Sequence, residues 1–209
     1  MSFTKTIEKV NSNLCTSQSQ NKENTLITSP NKNVNSDDLP EWHQWQLMSN
    51  QDLKEQACTL FDMQKVAASS SFVGAHAQNL YYNFEVVDAI KSEKRSQAKI
   101  IVRIKLNDKM KDKSTQILNK HLLTELLDIV PLTVIYIFDN RIKMTLHLSI
   151  EFFDIGQAVL EDYLLIETKL LYISEKSSIT ETVVINPVTN EIICKSNAVI
   201  GNVVAKAKL

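Results

Sequence analysis

The sequence predicts an α+β fold in which a six-stranded antiparallel sheet wraps around one central helix. The stretch 115–139 carries apolar residues at helical spacing, on a face that is too broad for a surface helix. The segments on both sides of it alternate apolar and polar residues with a period of two, as strands covered on one side do. Such a helix is buried best when strands from before and after it pack around it.

Length and composition limit the classes of protein to consider. With 209 residues, the chain can form one domain with a sizeable core and an appendage. A net charge of -1 provides no basic excess, so we do not expect nucleic acid as a partner. The three cysteines are odd in number and far apart, which fits a reducing compartment and argues against a disulfide framework or a metal site.

Glycine is scarce. Only Gly74, Gly156 and Gly201 occur, so no two glycines lie close together. A Walker phosphate loop, a dinucleotide-binding fingerprint and a GxSxG nucleophile elbow each need clustered glycines. The sequence therefore excludes three large enzyme classes.

The N-terminal residues 1–37 are rich in Ser, Thr, Asn and Gln and lack a sustained apolar period, which predicts a disordered tail. A mitochondrial presequence is the alternative, because Lys5 and Lys9 flank apolar residues, but this stretch contains Glu8 and no arginine. No apolar run approaches the roughly 20 residues of a membrane span. We therefore expect a soluble, intracellular protein, cytoplasmic or else mitochondrial.

An N-terminal helical segment is predicted at 38–66. Asp38 is expected to cap a short helix that opens at Pro40. A second helix starts at Ser49, with Asp52 three residues later as a capping box. We expect these helices to pack on the edge of the domain.

A Ser- and Ala-rich loop at 67–79 leads into the main domain at 80–209. The predicted strands are, in chain order, 81–90, 99–107, 141–153, 163–174, 178–185 and 192–204, with a hairpin turn at 186–190. The third strand shows the clearest alternation, with apolar residues at even positions from Ile142 to Phe152. Its other face carries Thr145 and His147, and we expect His147 to line an interface there.

Pro131 interrupts the helical pattern. Proline removes a backbone donor and presses on the carbonyl of Leu127, so the helix either ends near Val130 or kinks there. The following segment 132–138 is rich in β-branched and aromatic residues, which suits a strand as well as a buried helical turn. Both alternatives remain open.

The region 117–166 contains Leu118-Asn119-Lys120-His121-Leu122, then Leu126-Leu127-Asp128, then a strand that ends at an aromatic residue, Phe152. In order and spacing it resembles the small acyl-CoA thioesterases of the phenylacetate-degradation and human thioesterase-superfamily type. Their pattern runs Leu-His-Gly-Gly-Leu, then Leu-Val-Asp, then such a strand. The resemblance implies the hotdog fold and covers the chain from about residue 80 to the C-terminus.

The resemblance also implies roles for individual residues. In these enzymes the helix start presents backbone N–H groups to the thioester carbonyl. This assigns substrate binding to Asn119, Lys120 and His121, although they replace the His-Gly-Gly of the family. Asp128 matches an aspartate that acts across a dimer interface as nucleophile or general base, and Thr145 matches an assisting hydroxyl residue.

Two functions follow as hypotheses. The first is a homodimeric, or dimer-of-dimers, acyl-CoA thioesterase that needs no metal and no cofactor beyond the coenzyme A of its substrate. The second is an inactive hotdog protein that serves as a structural subunit of a larger complex or binds acyl groups, because the side chains of Lys120 and His121 stand where the family has bare backbone.

Each site residue also has a structural interpretation. Asp128 could be a solvent-facing helix residue or pair with Lys120 or Arg141. Asn119 could be the N-cap of the helix, and His121 could be a structural residue near its start.

Overall fold

The fold is described from a computed structural model, for residues 45–69 (side chains to residue 64), 83–92, 97–106, 110, 118–153 and 163–203. The chain divides into two compact units, 1–35 and 36–209, and every described residue belongs to the second. The predicted tail at 1–37 and most of the predicted loop at 67–79 lie outside these ranges.

Two long helices and six strands make up the described fold. In chain order they are α1 (Asn50–Ser69), β1 (Phe84–Lys91), β2 (Ala98–Lys105), α2 (Lys120–Phe138), β3 (Lys143–Phe152), β4 (Tyr163–Ile173), β5 (Ser177–Ile185) and β6 (Ile192–Asn202). The strands form one antiparallel sheet in the order β1-β2-β4-β5-β6-β3. A sheet of this kind with α2 packed against it confirms the predicted fold class.

Helix α2 is the centre of the core. Ten of its residues are buried: Leu123, Leu126, Leu127, Val130, Pro131, Thr133, Val134, Ile135, Ile137 and Phe138. By length and composition the helix could cross a membrane, but most of it is buried inside the domain. This is the pattern of a core helix.

The helix continues through Pro131 to Phe138, so the alternative that it ends near Val130 is wrong. A proline in a helix interior costs about 3 kcal/mol. Beyond Pro131, four large apolar side chains are buried, and each contributes about 1.5–3 kcal/mol. Tertiary packing therefore outweighs the local penalty and decides the conformation of 132–138.

The inner face of β5 and β6 carries several small side chains and hydroxyls. Ala198 and Ile200 of β6 belong to the core, and their register partners Thr180 and Ser178 on β5 share that inner face. The buried hydroxyl residues of the sheet are Thr168, Ser178, Thr180, Thr182 and Ser196. Small residues here leave room for the large side chains of the helix, so the two layers pack closely.

The hydroxyls of this inner face are not equally satisfied. Thr168 Oγ1 and Thr182 Oγ1 share a hydrogen bond of 3.1 Å. The hydroxyls of Ser178, Thr180 and Ser196 are buried and have no hydrogen-bond partner in the described part of the chain. A buried polar group without a partner costs about 1–3 kcal/mol, so these three residues destabilise the fold relative to apolar isosteres.

Helix α1 begins with the predicted capping box. Asp52 N donates to Ser49 Oγ (3.1 Å), and Ser49 N donates to Asp52 Oδ2 (3.1 Å). The helix packs against β1 and α2, where Phe61 meets the Phe84 ring edge-on at 5.6 Å. Of the first predicted N-terminal helix, only 45–47 is described, and it forms a single tight turn.

A bulge divides β3 into two halves. Thr145 pairs with Ile200 and His147 with Val199, so Leu146 has no partner on β6. The Leu146 side chain packs over Gly201, where an added Cβ would come within 2.6 Å of Leu146 Cδ1. A side chain at position 201 would therefore displace the bulged residue.

Because of the bulge, two predictions about the third strand are wrong. Even-numbered residues do not share one face, because Met144 and Leu146 are exposed while Leu148, Ile150 and Phe152 pack against the core. Thr145 and His147 lie on opposite faces, since their partners are consecutive residues of β6. The regular alternation of apolar and polar residues does not indicate the extra residue.

A buried ionic cluster holds the end of α2 to the start of β3. The Asp139 carboxylate accepts hydrogen bonds from Arg141 (Nε and Nη2, both 2.8 Å) and from Lys143 Nζ, which also binds Asn202 Oδ1. Burial alone would raise the pKa of Asp139, but the bonds from Arg141 and Lys143 outweigh it and hold that pKa below its usual value. Burial lowers the pKa of Lys143.

Replacing Thr180 with valine tests the unsatisfied hydroxyl. Thr180→Val keeps the shape of the side chain and removes an unpartnered polar group, so we expect the free energy of unfolding to rise by about 1 kcal/mol. Thr182→Val is the matched control: it breaks the bond to Thr168 and should lower the free energy by about 1–2 kcal/mol. Urea denaturation measures both, and equal effects of the two substitutions would contradict this account.

Replacing Asp139 tests the ionic cluster. Asp139→Asn leaves Lys143 buried without its carboxylate and should lower the free energy of unfolding by about 3–5 kcal/mol at neutral pH. Because the folded-state pKa lies below the ordinary value of 3.8, the stabilisation is complete above that pH and is lost as pH falls through the folded pKa.

Denaturation curves from pH 7 down to pH 2 should therefore show the difference between the native chain and Asp139→Asn shrinking in acid. Glu85→Gln removes an exposed carboxylate that is paired with Arg103 and should cost no more than about 1 kcal/mol. An acid-independent difference would show that the Asp139 charge is not what stabilises the cluster.

Candidate active site

The first part of the candidate site is the start of α2. Asn119 is the N-cap: its Oδ1 accepts a hydrogen bond of 2.8 Å from the backbone N–H of His121. Buried Leu118 and a hydrogen bond of 3.1 Å from Asn119 N to Met110 O fix the chain just before the helix. The capping interpretation of Asn119 is therefore correct, and one N–H group of the helix start is already occupied.

Lys120 and His121 are exposed at this helix start. Lys120 Nζ lies 5.7 Å from the centroid of the Phe152 ring, at the end of β3. The ammonium group therefore connects the helix start to the last residue of that strand. The signal for this contact was present in the sequence, as a basic residue at the first helical position and an aromatic residue at the strand end, but only the fold brings them together.

The second part of the site is a carboxylate and hydroxyl pair. Thr145 Oγ1 donates a hydrogen bond of 2.7 Å to Asp128 Oδ1, and both side chains are half-buried. Asp128 makes no ion pair with any described residue, and Arg141 binds Asp139 instead. The alternative pairing of Asp128 with Lys120 or Arg141 is therefore wrong.

The β3 bulge determines this geometry. Thr145 lies in the first half of β3, just before the bulged Leu146. It faces the inside of the sheet, because it pairs with buried Ile200. A strand without the bulge that kept the inward placement of Leu148, Ile150 and Phe152 would turn Thr145 outward. The extra residue therefore lets β3 present Thr145 to Asp128 and still bury its apolar second half.

The two parts of the site are far apart within one chain. Asp128 lies about two turns beyond Lys120, or about 12 Å along the helix axis at 1.5 Å per residue. Groups that act on one reacting centre must approach it to about 3–3.5 Å. The helix start and Asp128 of one chain therefore cannot both approach the same reacting atom.

The described residues give less support to a metal site or to a cysteine nucleophile. They contain no cluster of three or more His, Cys, Asp or Glu side chains that could hold a metal ion. Cys194 is buried, and burial raises the pKa of its thiol to about 12, so it remains protonated at neutral pH and is not an activated nucleophile. The pair of Asp128 and Thr145 is therefore the candidate for catalysis among the described residues.

Comparison with solved structures identifies the architecture. Zebra fish thioesterase superfamily member 2 superimposes with a TM-score of 0.52 over 68% of this chain and 94% of its own, at 12% identity. The chain has the hotdog fold. The Escherichia coli PaaI protein of the phenylacetic acid degradation operon matches with a TM-score of 0.52 over 73% of this chain and 97% of its own, at 13% identity.

These comparisons confirm the hotdog fold that the sequence resemblance implied. A further thioesterase-superfamily protein matches with a TM-score of 0.53 over 73% of this chain and 99% of its own, at 10% identity. No protein-family model matches the sequence, and no curated protein is significantly similar to it. At these identities the likeness concerns the fold and not the chemistry.

Proposed function

We propose that the protein is an acyl-CoA thioesterase that hydrolyses a fatty or aryl thioester with Asp128 as general base or nucleophile. The observation that carries this proposal is the hydrogen bond of 2.7 Å from Thr145 to Asp128 on the helix and strand of a thioesterase-like hotdog fold. The resemblance assigned chemistry to these two positions, and they are in direct contact.

In the general-base form of the reaction, Thr145 holds Asp128 Oδ1 and leaves Oδ2 to accept a proton from water. The hydroxide that results attacks the thioester carbonyl carbon, the C–S bond breaks, and the coenzyme A thiolate leaves with the proton that Asp128 took from the water. In the nucleophilic form, the carboxylate attacks the carbonyl carbon and the C–S bond breaks, which expels the coenzyme A thiolate. Water then hydrolyses the resulting anhydride, and a proton of that water passes to the thiolate. Neither form needs a metal or a cofactor.

The proposal requires two copies of the chain. Asp128 and the helix start of one chain are too far apart to approach the same reacting atom, so the carbonyl would be polarised by the helix start of the partner. Strand β3 lies at the edge of the sheet and exposes Met144 (51%) and Leu146 (60%), and Ile142, just before the strand, is also exposed (65%). An edge strand whose first half exposes apolar side chains is a surface on which a second copy can pair, which supports a homodimer or a dimer of dimers.

Substituting Asp128 tests the enzymatic proposal. Asp128→Asn removes the base or nucleophile with little change in shape, and we expect hydrolysis of acyl-CoA substrates to fall by about 100-fold or more. Glu125→Gln is the matched control, because Glu125 is a half-buried carboxylate on the same helix, and it should keep nearly full activity. The measurement is thiol release over a range of acyl chain lengths and aryl substrates.

Equal loss of activity in both variants would contradict a specific role for Asp128. Thr145→Ser should retain activity, because it keeps the hydroxyl that binds Asp128, whereas Thr145→Val should lower the turnover number. A native chain that hydrolyses no acyl-CoA would overturn the enzymatic proposal itself.

A second candidate function is an inactive hotdog protein that acts as a structural subunit or binds acyl groups. The specific observation in its favour is the Asn119 cap, which occupies the N–H of His121, together with the side chains of Lys120 and His121 at the helix start. A helix N-terminus polarises a carbonyl through free N–H groups. The cap reduces their number, and the side chains restrict access to those that remain.

Restoring bare backbone distinguishes the two candidates. If the protein is inactive for this reason, the double variant Lys120→Gly with His121→Gly should gain thioesterase activity that the native chain lacks. Thr124→Gly is the control, because it places one glycine in the helix, at a cost of about 1 kcal/mol, without opening the helix start. An active native chain would rule out this second candidate.

A further inference from the structure

The outer face of the sheet, which points away from α2, carries a row of apolar side chains. Tyr172 on β4 pairs with Ile179 on β5, and Ile179 pairs with Val199 on β6. Ile179 lies between Ser178 and Thr180, which belong to the buried inner face, so its own side chain points outward. Tyr172 is 52% exposed and Ile179 is 37% exposed. Two large apolar side chains therefore stand side by side on the solvent face of neighbouring strands.

The apolar surface continues onto the edge strand β3. Met144 pairs with Gly201 on β6, and the bulged Leu146 packs over that glycine. Both side chains are more than half exposed. Leu171, the bulged residue beside Tyr172, is exposed as well. We call this surface the outer patch and define it by Met144, Leu146, Leu171, Tyr172 and Ile179.

The outer patch is large for a single chain. It crosses four strands, from β4 to β3, which is about 14 Å at roughly 4.8 Å between strands. Ile142 and Val203 lie two residues beyond Met144 and Gly201, are also exposed, and are joined by a hydrogen bond of 2.8 Å from Val203 N to Ile142 O. Monomeric proteins rarely expose contiguous apolar patches of more than a few hundred Å². Tyrosine and methionine are enriched where proteins meet, so the composition of the patch is that of an interface.

The charges beside the outer patch are neutralised within the same face. Lys169 Nζ lies 3.4 Å from Glu181 Oε1, and Lys195 Nζ lies 2.6 Å from Glu181 Oε2. Glu151 on β3 stands opposite Lys195 in the ladder. These two lysines and two glutamates carry no net charge together.

A second copy of the chain fits this surface better than a charged partner. Two identical faces repel each other when each has a net charge, and the internal pairing of lysine with glutamate removes that repulsion. A two-fold axis would place one apolar patch against the other. An anionic membrane surface would attract an excess of basic residues around the patch, which the paired charges do not provide.

We propose that the outer patch is an interface between two copies of the chain, packed outer face against outer face about a two-fold axis. Ile179 and Tyr172 lie two and three strands away from β3, so they take no part in the strand pairing that the proposed function requires. The two interfaces are therefore separate. If β3 also pairs, the particle is a dimer of dimers in which the outer patch joins one dimer to the other.

Replacing Tyr172 with lysine tests this interface. Tyr172→Lys brings an unpaired charge from each copy into the contact, so we expect association to weaken about 100-fold or more. At micromolar concentration the mass of the particle should then halve, from four chains to two if β3 also pairs, and from two chains to one if it does not. Ile179→Lys should act in the same way. Sedimentation velocity of the full chain is the measurement, and urea denaturation checks that each variant remains folded.

Val188→Lys is the matched control. Val188 is 59% exposed in the turn at the opposite end of β5, outside the outer patch, so this variant gains the same charge and should keep the native mass. Salt provides a second readout that needs no variant. Because an apolar contact is not weakened by screening, the native mass should be the same in about 0.1 M and about 1 M sodium chloride.

Four results would overturn the proposal: a native chain that sediments singly, native mass in Tyr172→Lys, a halved mass in Val188→Lys, or dissociation in high salt. A native chain that sediments singly and binds phosphatidylcholine vesicles through Tyr172 would assign the outer patch to a lipid surface instead. Thioesterase activity is not part of the readout, so the result is independent of the proposed function.

Discussion

The burial of α2 against the inner face of the sheet is the constraint on which the rest of the structure depends. The second half of the helix, from Val130 to Phe138, is buried almost completely. The inner face of the sheet includes small side chains such as Ala198 and Thr180. Polar residues can then face outward only near the helix start, and Asp128 stands where the buried segment begins. The same packing that stabilises the domain thus limits where a carboxylate can be presented, and places it beside β3.

Much of the fold could be predicted because its signals are local. The Ser49 capping box, the Asn119 cap and the turn at 186–190, where Asn190 adopts a positive φ of 61°, follow from residue types at fixed spacing. The helical conformation beyond Pro131 could not be predicted in this way. Its β-branched residues suit a strand, and only the burial of Ile135 and its neighbours against the sheet makes the helix the more stable choice.

In the candidate site, too, some features could be predicted from the sequence and others depend on tertiary contacts. The positions of Asp128 and Thr145 came from spacing and resemblance, and the fold brings them to 2.7 Å. The ionic cluster around Asp139 and the bulge at Leu146 were missed, because each depends on partners distant in sequence, Asn202 and Gly201. The apolar and polar residues of β3 alternate straight through the bulge, so the pattern was regular while the pairing was not.

The bulge has a consequence for how this strand is compared with those of other proteins. Without Leu146, Thr145 would be followed directly by His147, and both halves of β3 would keep their present faces in an unbroken ladder. Leu146 therefore behaves as a one-residue insertion. An alignment to a strand of regular length needs a gap at position 146, and without that gap one half of the strand is matched to residues of the opposite face.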